Sequence, residues 1–182
     1  MNKLFVKVCG ITTVEQIDWA IDLGYDAIGI MRHEKSPRYC DEKKSKILLK
    51  YAQNKIQRVT VGLTLKEIGK ISKLSDFIQV YEDIEGDNII LAGAKPPVSN
   101  NFAYFLYDTS QGSGVKEEFP GWLENYKDRL ILAGGLDSHN VSNIMRQIRS
   151  RGIDVSSGVE KERGIKDYSL MKAFIDEVRN AK

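Results

Sequence analysis

"LFVKVCGITTVEQIDWAIDLGYDAIGI", residues 4–30, is the stretch whose reading decides the fold. A β-rich apolar run ends at Cys9 and Gly10 turns the chain. Val14, Ile17, Ala20, Ile21 and Leu23 then recur on one helical stripe that stops at Gly24. The following "YDAIGIM" is strand-like again, which makes a parallel βαβ unit. A weak echo lies at residues 132–158, "LAGGLDSHNVSNIMRQIRSRGIDVSSG", with the same order of strand, glycine, helix, glycine, then an apolar residue and Asp. A repeated βα unit suits a sheet closed into a barrel.

Between these ends the alternation continues. "CDEKKSKILLKYAQ" reads as a helix with Ile47, Leu48 and Tyr51 on its apolar face, and "KEIGKISKL" as a short one. Eight strand-like runs emerge: Leu4 to Val8, Ala27 to Met31, Arg58 to Gly62, Phe77 to Tyr81, Asn88 to Ala92, Ala103 to Tyr107, Leu130 to Ala133 and Ile153 to Ser156. The expected fold is α/β, a (β/α)8 TIM barrel forming a single compact domain over residues 1–182. Its helices must be trimmed, because barrels of this kind typically run to ~250 residues. The fifth crossover, "GAKPPVSNNF", holds two prolines and is read as a loop. An open, doubly wound sheet is the competing architecture, favoured by length alone.

Composition excludes several functions. With 42% hydrophobic and 29% charged residues and a net charge of +2, nothing favours nucleic acid or a membrane surface. Lys43, Lys44, Lys46 and Lys50 follow acidic Asp41 and Glu42, as at a helix start with a solvated face. No apolar run approaches the ~18 residues that span a bilayer. Two cysteines, with no cationic leader before an apolar segment, suggest free thiols in a reducing, cytoplasmic compartment. His33 and His139 have no partner at metal-ligand spacing, so no metal site is expected.

The chemistry-bearing residues sit where strands end. Side chains alternate along a strand, so Phe5, Lys7 and Cys9 share one face and Leu4, Val6 and Val8 the other. The aliphatic face belongs against helices, which turns Lys7 and Cys9 toward the barrel axis. Cys9 is then nearer the C-terminal mouth, where such barrels keep their active sites. An ammonium beside the thiol is expected to favour the thiolate. Asp108 closes the sixth strand run ahead of a glycine-containing loop, and Arg38 offers a fork for a carboxylate. The loops "AGGLDS" and "SSGVEKERG" follow the seventh and eighth strands, where barrels often bind phosphate through backbone N–H groups.

These residues together resemble the phosphoribosylanthranilate isomerase family of tryptophan biosynthesis. The resemblance is carried by "VKVCGIT", "GYDAIGI", "KSPRY", "FIQVYED", "YDTSQGSG", "LILAGGLDSHNV" and "IDVSSGVEKERGIKD", in family order over nearly the whole chain. It implies an Amadori rearrangement, an aldose-to-ketose isomerisation of a small-molecule substrate, phosphoribosylanthranilate, without cofactor or metal, by a monomer or homodimer. It places the general base on Cys9 and the general acid on Asp108. Substrate contacts fall on Lys7, Arg38, Gln79, Gly112 and Gly114, and phosphate contacts on Gly134, Gly135, Ser156, Ser157 and Gly158. The family's "QLHG" reads "QVYE" here, so Tyr81 replaces a histidine, and "GGTGK" reads "QGSGV". Two alternatives stay open: the related isomerase of histidine biosynthesis, built on two aspartates and two phosphate sites, and a non-catalytic phosphometabolite-binding barrel.

Overall fold

A computed structural model describes residues 3–108 and 119–181. Eight strands form the sheet: β1 (Phe5–Cys9), β2 (Ala27–Met31), β3 (Gln57–Val61), β4 (Phe77–Val80), β5 (Gly86–Gly93), β6 (Phe102–Asp108), β7 (Leu130–Ala133) and β8 (Gly152–Val155). Each pairs in parallel with its neighbours in sequence order, and β8 returns to β1, so the ring is shut. Closure removes the edges that an open sheet would leave unpaired, and the doubly wound alternative falls.

Strand alternation sorts the core into two layers. Val6, Val8, Ile28 and Ile30 face outward against the helices. Phe5, Cys9, Val59, Ile90 and Ile131 fill the inside of the ring. Phe5, Phe77 and Tyr104 plug its lower end, with ring centroids 5.4 Å and 5.6 Å apart around Tyr104. The interior is therefore packed, and among the described residues the ring opens to a ligand at the mouth, the strands' C-terminal ends.

The first helices begin where their caps are. In α1 (Val14–Asp22) the Thr13 side chain accepts from the Gln16 N–H, and in α2 (Glu42–Tyr51) Asp41 accepts from Lys44 N–H at 2.7 Å. The expected apolar face of α2 needs correction. Ser45, Leu48 and Leu49 are buried, whereas Ile47 is 54% exposed. Three successive apolar residues cannot share one face of a helix, and packing selects the last two.

Helix trimming is concentrated in the middle. The third helix is α3 (Leu65–Ile68), continued by a 3₁₀ segment, Gly69–Leu74. Residues 94–101, between β5 and β6, hold no helix, as the two prolines require. Before β7 a 3₁₀ segment, Gly121–Tyr126, brings Trp122 and Tyr126 against Phe105, with centroids at 5.8 Å and 5.4 Å. This aromatic cluster covers strand surface that a full helix would otherwise cover. Helices α4 (Val141–Gln147) and α5 (Tyr168–Asn180) complete the ring, and a small hairpin, β9 (Glu160–Glu162) and β10 (Ile165–Lys166), follows β8.

Candidate active site

Cys9 ends β1 on the inward face, paired in register with Gly29 of β2. Gly10 follows with φ +82°, and a Cβ there would lie 2.3 Å from Arg38 Cδ. Glycine thus serves both the sharp exit from the strand and the close passage of the arginine stem. Cys9 and Asp108 both line one cavity of about 200 Å³ at the mouth, with Arg38, Gln79, Tyr81, Gly134, Gly135, Asp154, Ser156 and Ser157. An apolar annex of about 190 Å³, lined by Met31, Val61, Leu63 and His33, opens beside Asp108 and Tyr81.

Lys7 stands one layer below. It is fully buried, and its Nζ lies 2.8 Å from Asp154 Oδ1, its register partner on β8. The contact is an ion pair whose angles fall outside hydrogen-bond geometry. Burial works against the Lys7 ammonium, but Asp154 and then Cys9 outweigh it and hold it above its ordinary value. Lys7, expected to touch the substrate, stands here as a buried counter-charge to Asp154, beneath the residues that line the mouth cavity.

The expected thiolate is also revised. Burial pushes the Cys9 thiol up, and Asp154 adds to the push, while Lys7, Lys166 and Arg38 oppose it without prevailing. In a packed ring the lost hydration of a thiolate exceeds what one neighbouring ammonium restores, since that ammonium is already shared with Asp154.

Arg38, whose fork was expected to be open, already grips a carboxylate of the protein itself. Its Nε and Nη2 donate to the two oxygens of Glu160 at 2.7 Å each. Glu160 also accepts from Lys166 Nζ at 2.7 Å and from Gly164 N–H at 3.0 Å. Burial alone would raise this carboxyl, but these donors bring it down to about 2. The hairpin after β8 is thereby tied to the loop after β2.

A consequence for stability follows from that depressed value. Relative to an ordinary glutamate at 4.5, Glu160 contributes roughly 3 kcal/mol above that pH, lost as pH falls through about 2. Glu160→Gln is expected to be less stable than the parent by about that amount at neutral pH in urea unfolding, with the gap closing toward pH 2. A gap that stays constant with acidification would refute this role.

The two loops expected to bind phosphate meet face to face. A Cβ on Gly158 would lie 2.0 Å from Leu136 O, so only glycine lets the loop after β8 pack against the loop after β7. Gly134 and Gly135 both have positive φ, +90° and +67°. Ser157 and Gly135 are exposed at the rim. Ser156 is committed elsewhere: its hydroxyl donates to Cys9 O at 3.1 Å, and its carbonyl accepts from Lys166 Nζ at 2.9 Å. Gly112 and Gly114 lie outside the described residues.

Sequence reasoning missed Asp154, Glu160 and Lys166. Asp154 carried a usable signal, an acid at an inward position of an otherwise apolar strand. Gln79, on β4, is 3% exposed, and its Oε1 has no hydrogen-bond partner among the described residues.

Comparison with known proteins agrees with this geometry. Residues 98–177 match the family model of N-(5'phosphoribosyl)anthranilate (PRA) isomerase. The N-(5'-phosphoribosyl)anthranilate isomerase of Rhizobium etli (strain ATCC 51251) is 32% identical, over 97% of this chain and 94% of its own. The crystal structure of TrpF from Jonesia denitrificans superposes with a TM-score of 0.83 at 26% identity, covering 98% of each chain. A phosphoribosyl anthranilate isomerase solved in complex with reduced 1-(o-carboxyphenylamino)-1-deoxyribulose 5-phosphate superposes at 0.75, also 26% identical, over 97% of this chain and 99% of that one. With fold, mouth geometry and near full-length similarity in agreement, the chain belongs to the N-(5'-phosphoribosyl)anthranilate isomerase family.

Proposed function

We propose that this protein converts N-(5-phosphoribosyl)anthranilate to 1-(2-carboxyphenylamino)-1-deoxyribulose 5-phosphate, the isomerase step of tryptophan biosynthesis. The observation that carries the reading is a thiol and a carboxyl group in one cavity, beside a wall made by the two loops that Gly158 brings together. Asp108 gives a proton to the furanose ring oxygen, the C1'–O bond breaks, and the anilino nitrogen's lone pair closes an iminium. Cys9, as thiolate, then takes the C2' proton. The electron pair moves into the iminium to give an enolamine, which tautomerises to the ketone. The substrate's own nitrogen is the electron sink.

The substrate's two anionic ends supply binding energy away from the reacting carbons. The phosphate belongs to the backbone of Gly134, Gly135, Ser157 and Gly158. Ser156 contributes by fixing β8 to β1 through Cys9 O. The aryl ring fits the annex of Met31, Val61 and Leu63. Its carboxylate takes the part of the Arg38 guanidinium that Glu160 leaves unused. Gln79 Oε1, which has no hydrogen-bond partner among the described residues, accepts from a ribose hydroxyl, which relieves a buried acceptor of its desolvation cost. Gly112 and Gly114 are assigned as further contacts from the resemblance alone.

The reading takes the chain as one domain, with a site assembled within one protomer among the described residues, so a monomer or a homodimer can carry it. No helix in the described residues is long and apolar enough to cross a membrane. Two buried free thiols, Cys9 and Cys40, suit the reducing cytoplasm. Complementation of a tryptophan auxotroph lacking this isomerase, followed by the fluorescence decay of substrate with purified protein, tests the proposal. Failure of both, with the protein folded, overturns it. Turnover of the histidine-pathway substrate instead would favour that relative.

A further inference from the structure

Tyr81 stands where the family motif carries histidine, just past the end of β4. Its ring packs on the inner layer of the barrel and lines both the mouth cavity and the apolar annex. Its backbone N–H donates to Leu63 O at 3.1 Å, which sets the exit from the strand. Its hydroxyl donates to Asp108 Oδ2 at 2.6 Å. That one hydroxyl hydrogen is therefore spent on the carboxyl group assigned as the acid, and is not offered to a ligand.

We propose that Tyr81 is a positioning residue for proton delivery by Asp108, an inference that rests on the reaction assigned above. When Asp108 is protonated, the oxygen that accepts the phenol's hydrogen bond is the carbonyl-type one, because a carboxylic carbonyl is a better acceptor than its O–H oxygen. The proton to be transferred then sits on Oδ1. As it passes to the ring oxygen, the Oδ1–H bond breaks and the carboxylate left behind gains charge on both oxygens. The hydrogen bond from Tyr81 strengthens as that charge appears, since bonds to ionised acceptors are roughly twice as strong as neutral ones. Stabilisation that grows between ground state and transition state raises kcat and leaves KM nearly untouched.

The phenol keeps its own proton throughout. Burial, with Asp108 adjoining, drives its ionisation well above the ordinary range, so Tyr81 orients and stabilises but does not itself transfer a proton. Phenylalanine keeps the ring and loses the donor.

The test is steady-state kinetics on Tyr81→Phe beside the parent and Asp108→Asn, with thermal melting of each. Tyr81→Phe is expected to lower kcat by about tenfold or more, with KM within about twofold and melting unchanged, in line with loss of one donor to a developing charge. A kcat for Tyr81→Phe close to the parent's, or a loss seen only in KM, overturns the role of Tyr81 while leaving the reaction assignment standing. A parent protein with no turnover overturns both.

Discussion

Replacing Cys9 with alanine is expected to reduce kcat by about 10² to 10⁴-fold, the range for loss of a positioned general base. The proposed contacts to phosphate and aryl group lie on other residues, so KM should move little and the fall should appear equally in kcat and kcat/KM. Serine at the same place should be nearly as poor, because an alcohol gives up its proton far less readily than a thiol. The side chain is small and sits under the rim of the ring, and melting should stay within a few degrees of the parent's. Near-parental turnover in Cys9→Ala would remove the thiol from the mechanism.

The thiol also sets the pH dependence. Burial pushes Cys9 up against the pull of Lys7, Lys166 and Arg38, so the thiolate is the minority form at neutral pH. Only that form accepts the C2' proton. Followed as kcat/KM on a substrate analogue that is already ring-opened, so that no proton is needed from Asp108, the rate should therefore climb as pH rises above neutrality and level off once the thiol has ionised. A profile that falls over the same interval is incompatible with a thiolate base.

Asp108→Asn should be as damaging for the other half of the reaction, lowering kcat by about 10² to 10⁴-fold. Asparagine keeps the volume and an oxygen for the Tyr81 hydroxyl, yet has no proton to give to the ring oxygen. Ring opening becomes the slow step. A substrate analogue that is already open should then be rearranged by the variant much more nearly at the parental rate. Equal impairment on open and closed substrates would place Asp108 outside ring opening.

How much of this was legible in the chain varies with the range of the interaction involved. The eight strands emerged within a residue or two because inward and outward positions alternate along each, and that alternation is local. The face of α2 was misread because Ile47, Leu48 and Leu49 are consecutive. Helical periodicity narrows the choice among them, but only the packed barrel decides it. Cys9 and Asp108 were visible because both lie at strand ends, where a parallel barrel collects its chemistry.

The linear order of residues determined the alternation of strand and helix, the loop in place of the fifth crossover helix, and the positions of Cys9 and Asp108 at the barrel mouth. It could not determine which charges meet. Lys7 finds Asp154 only because β8 returns beside β1, and Arg38 finds Glu160 only because the final hairpin folds over the loop after β2. Those pairings decide how far the thiol is pushed up and how much of the arginine is left for a ligand. Burial and distance are properties of the closed ring, and neither is written into the neighbours of a residue along the chain.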